Sequence, residues 1–268
     1  MDVDSIKRVA LVTGGAGNIG PHIVKSLHDN GMEVYVILKP GTIHDPSINE
    51  LRSIDSVHFV ECDILNIGDL LTFSAKLKKR GRLDAVIANA GIDTPPPGQS
   101  ATRTIEREVV SNPCESSYEF SRVVDVNLCG TFNTLVAFED LLKVHGGSVV
   151  LIGSLYSMTS PDPSLYDHIK PKFVKSPAYA ASKAGVAQLG KFFAVHWGRY
   201  KINVNTISPG GILGNQDRLF VRKYTDRVPM GRMCNCADVC NAVLFLISED
   251  SRYITGINLP VDGGFLSL

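Results

Sequence analysis

The sequence predicts an α/β fold in which one doubly wound parallel sheet of about seven strands carries helices on both faces. Two observations support this prediction. Short β-branched runs are continuously apolar, as in strands that are covered on both faces. Helix-length stretches separate these runs, and this alternation is typical of βαβ units with right-handed crossovers. Because no linker is long enough to separate two domains, we expect a single domain over residues 1–268.

The predicted elements follow one another in regular order. We expect seven strands, at residues 9–12, 34–38, 57–60, 85–88, 149–152, 202–207 and 257–259. We expect five helices, at residues 19–30, 69–80, 121–142, 178–200 and 237–248. Three segments interrupt the alternation, near residues 92–112, 155–177 and 210–232, and we expect the last to be a mobile flap. Each would follow the carboxyl end of a strand, where open α/β sheets bind ligands.

The composition argues against several classes of protein. Lys plus Arg and Asp plus Glu both number 27, and no long basic run is present, so we expect no nucleic-acid partner. The polar start and the lack of an apolar stretch of about 20 residues predict a cytoplasmic protein without a membrane span. Cys234, Cys236 and Cys240 are clustered but have no fourth ligand close by in the sequence, which favours small buried thiols over a metal site.

A glycine-rich turn follows the first predicted strand. Residues 13–20 contain the pattern G-x-G-x-x-G at Gly15, Gly17 and Gly20, where a helix is predicted to begin. The pattern permits a tight turn, the approach of a pyrophosphate to the backbone and close packing of the helix on the strand. The free N–H groups of a helix N-terminus also favour phosphates. We therefore expect a bound dinucleotide at this turn.

The end of the second predicted strand bears on the choice of cofactor. NAD-preferring folds often place an acidic residue there to bind the ribose 2′-hydroxyl. Residues 36–40 contain no acid and one base, Lys39, which would lie over a 2′-phosphate. This pattern favours NADP(H) over NAD(H), and a solvated lysine at the strand end is the alternative interpretation.

Two tyrosine–lysine pairs have the four-residue spacing that places both side chains on one face of a helix. They are Tyr179 with Lys183 and Tyr166 with Lys170. A nearby ammonium is expected to lower the pKa of a phenol, which makes such a pair a candidate proton shuttle between carbonyl and alcohol. Lys170 precedes a proline, which disfavours a helix there. Tyr179 begins a long proline-free run of good helix formers, so Tyr179 and Lys183 are the predicted pair.

Short motifs occur along the chain in a defined order. They are residues 13–20, Asp63, residues 89–91, 126–127, 152–154, Tyr179 with Lys183, residues 208–210 and residues 261–264. This ordered set resembles the classical short-chain dehydrogenases/reductases over residues 8–264. The resemblance implies a Rossmann fold and hydride transfer between a nicotinamide cofactor and a carbonyl or alcohol. It also implies a homo-oligomer, either a tetramer or a dimer, which we expect to pack through the helices predicted at 121–142 and 178–200.

The resemblance implies a role for each matched residue. Tyr179 would exchange the proton, and Lys183 would lower the pKa of that phenol and bond the nicotinamide ribose. Ser154 would hold the substrate oxygen, and Asn127 would support a water-linked proton relay to Lys183. With the residues expected from the glycine turn and the second strand, the set expected to contact the cofactor is Gly14, Gly15, Gly17, Asn18, Ile19, Lys39, Asp63, Ile64, Asn89, Ala90, Gly91, Tyr179, Lys183, Pro209, Gly210, Gly211 and Ile212.

Two features depart from the family pattern and leave alternatives open. Asn18 stands where classical members usually have Gly or Ala, so residues 13–20 also fit the turn of the sugar-nucleotide-modifying branch. Ser154 and Tyr179 are 25 positions apart, wider than usual, so residues 155–177 would form an insertion beside the substrate. With the usual spacing Tyr166 would be the candidate. The alternative functions are a 3-oxoacyl-carrier reductase, a sugar-nucleotide epimerase or dehydratase, and a non-catalytic dinucleotide-binding protein.

Two patterns bear on the substrate, which we expect to be a small molecule. The predicted flap is rich in Arg and Lys, and Arg218 and Arg222 share a face if this part is helical. Such a basic face would suit an anionic group, and a solvated charged helix is the alternative. Residues 208–216, with 230–233, resemble oxidoreductases of bacterial nonulosonic-acid sugar pathways. That resemblance implies a sugar-like substrate.

Overall fold

The computed structural model describes residues 7–93, 117–170 and 172–268. Its strands are β1 (Val9–Thr13), β2 (Glu33–Leu38), β3 (Val57–Glu61), β4 (Ala85–Ala88), β5 (Gly147–Ile152), β6 (Ile202–Pro209) and β7 (Asn258–Val261). Its helices are α1 (Gly20–Asp29), α2 (Ile67–Lys78), α3 (Ser117–Val124), α4 (Gly130–His145), α5 (Pro177–Trp197), α6 (Arg218–Thr225) and α7 (Cys236–Leu246), and a π-helical turn (Asp125–Cys129) joins α3 to α4.

The seven strands form one parallel sheet in the order β3-β2-β1-β4-β5-β6-β7. The chain builds outward from β1 in one direction and then, from β4 onward, in the other. The predicted fold class is therefore confirmed. In such sheets the ligand crevice lies outside the carboxyl ends of the strands, at the point where the order reverses. Here that point lies between β1 and β4.

Two apolar layers cover the sheet. On one face Leu11 and Leu151 pack with Phe138 of α4, and on the other face Val12 packs with Ile23 of α1. Successive residues of each strand point to opposite faces, and both faces are buried. This explains why the strands read as continuous apolar runs. Among the described residues, no helix is both long enough and apolar enough to cross a membrane.

Most predicted boundaries differ from the structure by a few residues, and some elements differ more. The helix predicted over 121–142 consists of α3, the π-helical turn and α4, and the strand predicted over 257–259 lies at Asn258–Val261. Most of the loop predicted over 92–112 lies outside the described residues. The flap predicted as mobile over 210–232 contains the packed helix α6, because Phe220 and Tyr224 are buried against the apolar residues that precede α5.

Polar contacts also join the flap to the segment that follows β5. Lys223 contacts Asp167, Arg227 Nη1 lies 2.7 Å from Asp162, and His168 Nε2 lies 2.9 Å from Asp217. Asp217 also accepts hydrogen bonds from the first turn of α6. The two segments therefore form one covering over the carboxyl ends of β5 and β6.

Candidate active site

The glycine turn after β1 is shaped by close backbone approaches. Gly14 has a φ of 70°, and a Cβ added there would lie 2.7 Å from the Cα of Ala90. A Cβ at Gly20 would lie 2.3 Å from the carbonyl oxygen of Gly14. At Gly17 the nearest atom would be that same oxygen, at 3.3 Å, so this side of the turn is open toward the cleft. A ligand can therefore approach the backbone at Gly17.

Gly15 lies against the second strand and does not face the cleft. A Cβ added there would lie 2.1 Å from Cγ1 of Val36, so Gly15 packs against β2 and is not among the residues that line the cleft. Contact of Gly15 with the cofactor stays a prediction. Its role is to let the turn sit directly on the second strand.

The N-terminus of α1 differs from those of four other helices. Side chains cap the N-termini of α2, α5, α6 and α7, from Asn66, Ser176, Asp217 and Asn235 respectively. Ile19 stands at the same position before α1 and provides no side-chain hydrogen bond. The first N–H groups of α1 are thus left for a ligand, and phosphate groups are well suited to them. This observation fits a dinucleotide at the glycine turn.

The expected adenine side of the cleft is formed by residues that follow β2 and β3. Lys39 and Asp63 line the cleft, and the Asp63 carboxylate accepts a hydrogen bond from the N–H of Leu65 at 2.9 Å. Ile64 also lines it and packs so closely on Gly130 that an added Cβ would lie 2.4 Å from its Cδ1. The three residues line one cleft together, and their contact with the adenosine stays a prediction.

The residues after β4 tie the glycine turn to the centre of the cleft. The Asn89 side chain donates hydrogen bonds to the carbonyl oxygens of Thr13 and Gly14, at 3.1 and 2.9 Å. A Cβ added at Gly91 would lie 3.1 Å from Oδ1 of Asn127 and 3.3 Å from Nζ of Lys183. Only glycine leaves this space open.

Asn127 lies behind the cleft and does not line it. It is fully buried in the π-helical turn, its Oδ1 accepts from the N–H of Ile92 at 2.7 Å, and its Nδ2 donates to the carbonyl oxygen of Ile92 at 3.0 Å. A third hydrogen bond runs from Nδ2 to Oγ of Ser182 on α5. Asn127 therefore joins the segment after β4 to α5.

Tyr179 and Lys183 lie in the first two turns of α5, as predicted. The Lys183 ammonium donates a hydrogen bond to the carbonyl oxygen of Ile152 at 2.7 Å and lies 5.9 Å from the centre of the Tyr179 ring. Burial lowers the pKa of Lys183 to about 8, although the charge of Asp93 acts to raise it.

The pKa of the Tyr179 phenol is raised. Desolvation by the surrounding protein is the largest cause, the charge of Asp93 adds to it, and a hydrogen bond with Ser154 acts in the opposite direction. Desolvation dominates in these surroundings, and the lowering of this pKa by Lys183 stays a prediction. The phenol is held in its protonated form at neutral pH.

Ser154 follows β5, and its side chain is directed toward Tyr179. It is 7% exposed, accepts a hydrogen bond from the N–H of Tyr156 at 3.2 Å, and shares a hydrogen bond with Tyr179. The structure thus brings Ser154 and Tyr179 together across the 25 positions that separate them.

Tyr166 is not paired with Lys170. Tyr166 ends a short 3-10 turn, and Lys170 is exposed outside any helix. The Tyr166 ring packs against Phe173 and Phe220, and its hydroxyl lies 3.3 Å from that of Tyr156. Tyr166 lines the same cleft as Tyr179 but has no ammonium beside it in the expected geometry. The proline-rich segment therefore lines the cleft, and its being an insertion beside the substrate stays a prediction.

The cleft has a volume of about 720 Å³ and unites most of the predicted residues. Those that line it are Gly14, Gly17, Asn18, Ile19, Lys39, Asp63, Ile64, Asn89, Ala90, Gly91, Ser154, Tyr179, Lys183, Pro209, Gly210, Gly211 and Ile212. The loop after β6 is held by α6, because the Tyr224 hydroxyl accepts from the N–H of Gly211 at 2.5 Å. Arg218 and Arg222 are exposed and do not line the cleft.

Several lining residues escaped the sequence analysis. They are Asp93, Tyr156, Lys175, Gln216, Phe220, Tyr224 and Met233, among others. Asp93 lies two positions after a recognised motif, and Lys175 lies two positions before the helix of Tyr179. Their closeness in sequence to these features was the one signal that could have identified them. The aromatic members lie in the insertion and flap, which have no motif of their own.

The clustered cysteines do not resemble a metal centre. Within residues 7–93, 117–170 and 172–268, no group of three or more His, Cys, Asp or Glu side chains could hold a metal ion. Cys240 is buried as predicted, whereas Cys234 and Cys236 are half-buried. Burial raises the pKa of Cys234 to about 12, which keeps that thiol protonated at neutral pH.

Comparison with known proteins gives consistent matches. Residues 14–266 match the family model described as Enoyl-(Acyl carrier protein) reductase. A short-chain type dehydrogenase/reductase of Sinorhizobium fredii is 31% identical over 97% of this chain, which spans 44% of that relative's length. The short-chain dehydrogenase/reductase PhomF′ of Diaporthe leptostromiformis is 30% identical over 100% of this chain and 94% of its own. A solved short-chain dehydrogenase of Leptospira borgpetersenii with bound NAD+ is 32% identical, with a TM-score of 0.77 over 97% of this chain and 92% of that chain.

The parallel sheet, the glycine turn at the reversal of strand order and the uncapped α1 define a dinucleotide-binding protein of the Rossmann type. The chain belongs to the short-chain dehydrogenase/reductase family. It is accordingly a nicotinamide-dependent oxidoreductase that works by hydride transfer, and the predicted family and general function are confirmed.

Proposed function

We propose that the chain interconverts a carbonyl and an alcohol with NADP(H), and that Ser154, Tyr179 and Lys183 act directly in this reaction. The observation that carries the proposal is the hydrogen bond between Ser154 and Tyr179 in the cleft that the glycine turn also lines. A hydroxyl and a phenol side by side can both contact one substrate oxygen.

The chain's own residues would act in sequence on that oxygen. When bound, the nicotinamide supplies or accepts the hydride. Ser154 orients the substrate oxygen, and Tyr179 donates its proton to that oxygen as the carbonyl is reduced. Lys183, fixed on Ile152, bonds the cofactor ribose, and Asn127 positions the backbone at Ile92 beside it. The phenol is protonated at neutral pH and so carries the proton that reduction of a carbonyl requires.

The substrate half of the cleft is mainly aromatic. Tyr156, Tyr166, Phe220 and Tyr224 line it, together with Met233. Ring faces can contact the C–H groups of a ring-bearing substrate, and the three phenols can bond its hydroxyls. We propose a neutral cyclic ketone or alcohol, sugar-like molecules included. The basic residues of the flap do not favour an anion, because Lys223, Arg227 and Arg232 pair with Asp167, Asp162 and Asp238.

A substrate panel tests the proposed reaction. Cyclic ketones, sugars and polyols are supplied with each reduced or oxidised cofactor, and the nicotinamide absorbance is followed. The proposal requires a net absorbance change with a carbonyl or alcohol. Turnover of acyl-carrier thioesters alone would favour a 3-oxoacyl-carrier or enoyl reductase, the latter being the description of the matching family model. Conversion of a sugar nucleotide without net absorbance change would favour an epimerase or dehydratase.

The preference for NADP(H) rests on Lys39. This side chain is exposed at the end of β2 and lines the cleft beside the expected adenosine position. Loss of one charged hydrogen bond costs about 1.5–3 kcal/mol, so we expect Lys39→Ala to weaken NADPH binding by about tenfold or more and to leave NADH binding unchanged. Fluorescence titration of both cofactors measures this.

The matched control is Lys25→Ala, which removes an exposed lysine of α1 that pairs with Asp29. It should leave both affinities as they are in the wild type. Tighter binding of NADH than of NADPH by the wild-type protein would refute the assignment of Lys39.

We propose a homo-oligomer, dimer or tetramer, that packs through α4 and α5. Phe132 on α4 is 45% exposed, and on α5 Phe192 is 52% and Val195 81% exposed. The rings of Phe132 and Phe193 lie 6.2 Å apart, so the exposed faces of the two helices adjoin. Adjoining exposed apolar faces are typical of a self-associating surface.

The mass in solution tests this surface. Light scattering should show a dimer or tetramer for the wild type and a smaller species for Val195→Glu, because a buried unpaired carboxylate destabilises an apolar interface. Leu219→Glu, at an exposed position on α6, is the control and should keep the wild-type mass. A monomeric wild type would contradict the proposed assembly.

A further inference from the structure

A second lysine lies beside Tyr179. Lys175 precedes α5, and its ammonium lies 5.2 Å from the centre of the Tyr179 ring, compared with 5.9 Å for Lys183. Its side chain is only 9% exposed and lines the cleft. The phenol is thus approached by one ammonium from its own helix and by another from the segment before it. The second does not belong to any motif of the sequence.

The position of Lys175 is fixed by a carboxylate. Its Nζ contacts Oδ2 of Asp93, which follows the motif after β4. The residue before Asp93 is Ile92, whose N–H and carbonyl are both hydrogen-bonded to the buried side chain of Asn127. A chain of contacts therefore leads from the π-helical turn to the ammonium beside Tyr179. A surface lysine with a chance ion pair would lack this support.

The charges around Tyr179 act in opposite directions. Desolvation is the largest cause of the raised pKa of the phenol, and the charge of Asp93 is the second. A hydrogen bond with Ser154 lowers this pKa. Lys183 faces the ring from α5, Tyr156 lies nearby after β5, and Arg122 lines the same cleft from α3. An Asp93 carboxylate without Lys175 would oppose loss of the phenolic proton.

We propose that Lys175 is a positioning residue of the proposed reaction: its ammonium, held by Asp93 beside the Tyr179 ring, offsets the carboxylate and keeps the phenol able to release its proton. The role rests on the proposed function, because it acts through Tyr179. Removing Lys175 would leave the charge of Asp93 near Tyr179 without this ammonium beside it. Removing Asp93 would have the opposite effect, and removing both would largely cancel.

The test follows the ionisation of Tyr179 without requiring turnover. The protein is labelled with fluorotyrosine, and the fluorine resonance that is missing in Tyr179→Phe is assigned to Tyr179. Its titration midpoint should rise by about one pH unit in Lys175→Met and fall in Asp93→Asn, with the double variant close to the wild type. Lys175→Arg keeps the charge and should restore the wild-type midpoint. Lys172→Met, which removes an exposed lysine of the same segment, is the matched control.

The pH profile of alcohol oxidation provides the second measurement. Oxidation needs the phenolate, so its rate rises with pH through the Tyr179 midpoint, and Lys175→Met should move this rise to higher pH. A midpoint in Lys175→Met equal to that in Lys172→Met would overturn the proposal, as would an equal shift in Lys175→Arg. If the wild type turns over no carbonyl or alcohol, the proposed function fails while the fluorine titration still decides the role of Lys175.

Discussion

Tyr179→Phe is expected to lower turnover by about 10²–10⁴-fold, the usual contribution of a positioned proton donor. The aromatic ring remains in this variant, so the packing of α5 is preserved, but the hydroxyl is lost and the substrate oxygen loses its source of a proton. Ser154 still orients that oxygen, and the glycine turn still binds the cofactor. We therefore expect cofactor affinity to stay near that of the wild type. Steady-state rates with the best carbonyl of the panel and a cofactor titration measure both effects.

Tyr166→Phe is the matched control for this prediction. Tyr166 lies in the same cleft, and its hydroxyl contacts that of Tyr156. Loss of this hydroxyl should alter KM by about tenfold at most, because a neutral hydrogen bond contributes about 0.5–1.5 kcal/mol. Turnover that survives Tyr179→Phe and disappears in Tyr166→Phe would show that the wrong tyrosine is assigned.

Lys183→Met should have the second largest effect. Lys183 is 5% exposed and its ammonium is fixed on the carbonyl oxygen of Ile152, so the substitution removes a charge within the site and the proposed contact with the cofactor. We expect kcat/KM to fall by about a hundredfold, of the order found for the loss of a charged hydrogen bond. The cofactor Kd should rise in the same variant, unlike in Tyr179→Phe. An unchanged Kd would contradict contact of Lys183 with the cofactor.

The stability of the wild type relative to Lys183→Met is expected to rise with pH. Burial lowers the pKa of Lys183 to about 8, below the 10.5 of an unperturbed lysine. Between these values the unfolded chain binds the proton and the folded chain does not, so stability rises with pH. From about pH 7 to about pH 9.5, the unfolding free energy of the wild type should therefore gain about 2 kcal/mol relative to Lys183→Met. Urea unfolding of both proteins at each pH measures this difference. If the wild type instead lost stability relative to Lys183→Met over this interval, the pKa of Lys183 would not be lowered in the folded protein.

The sheet and most of the cofactor half were predictable because each depends on local patterns. Strands covered on both faces require continuous apolar runs, such as that of β6, wherever they occur in the chain. The glycine turn is a contiguous motif, and the positive φ of Gly14 is one that glycine adopts readily. Tyr179 was distinguished from Tyr166 by the prolines around Lys170, and proline acts on its immediate neighbours. Each of these signals lies within a few residues of the feature that it predicts.

The substrate half was not predictable because it depends on distant contacts. Asp93 and Lys175 are 82 positions apart and meet only when β4 and α5 adjoin across the cleft. The basic residues of the flap indicated an anionic substrate. In the fold, however, Asp162 and Asp167 form ion pairs with two of these residues. The direction of the pKa shift of Tyr179 likewise depends on how much water the surrounding protein excludes. A four-residue spacing contains no information on that quantity.

Transfer of deuterium from labelled cofactor tests the central claim, that hydride passes to a carbonyl carbon beside Tyr179. The protein is supplied with NADPH deuterated at the transferred position and with the best carbonyl of the panel, and the product is analysed by mass spectrometry and proton NMR. We predict deuterium on the carbinol carbon, formed at a rate that falls with that of total turnover in Tyr179→Phe. Deuterium on a carbon of a former C=C bond, or a product without deuterium, would contradict the account.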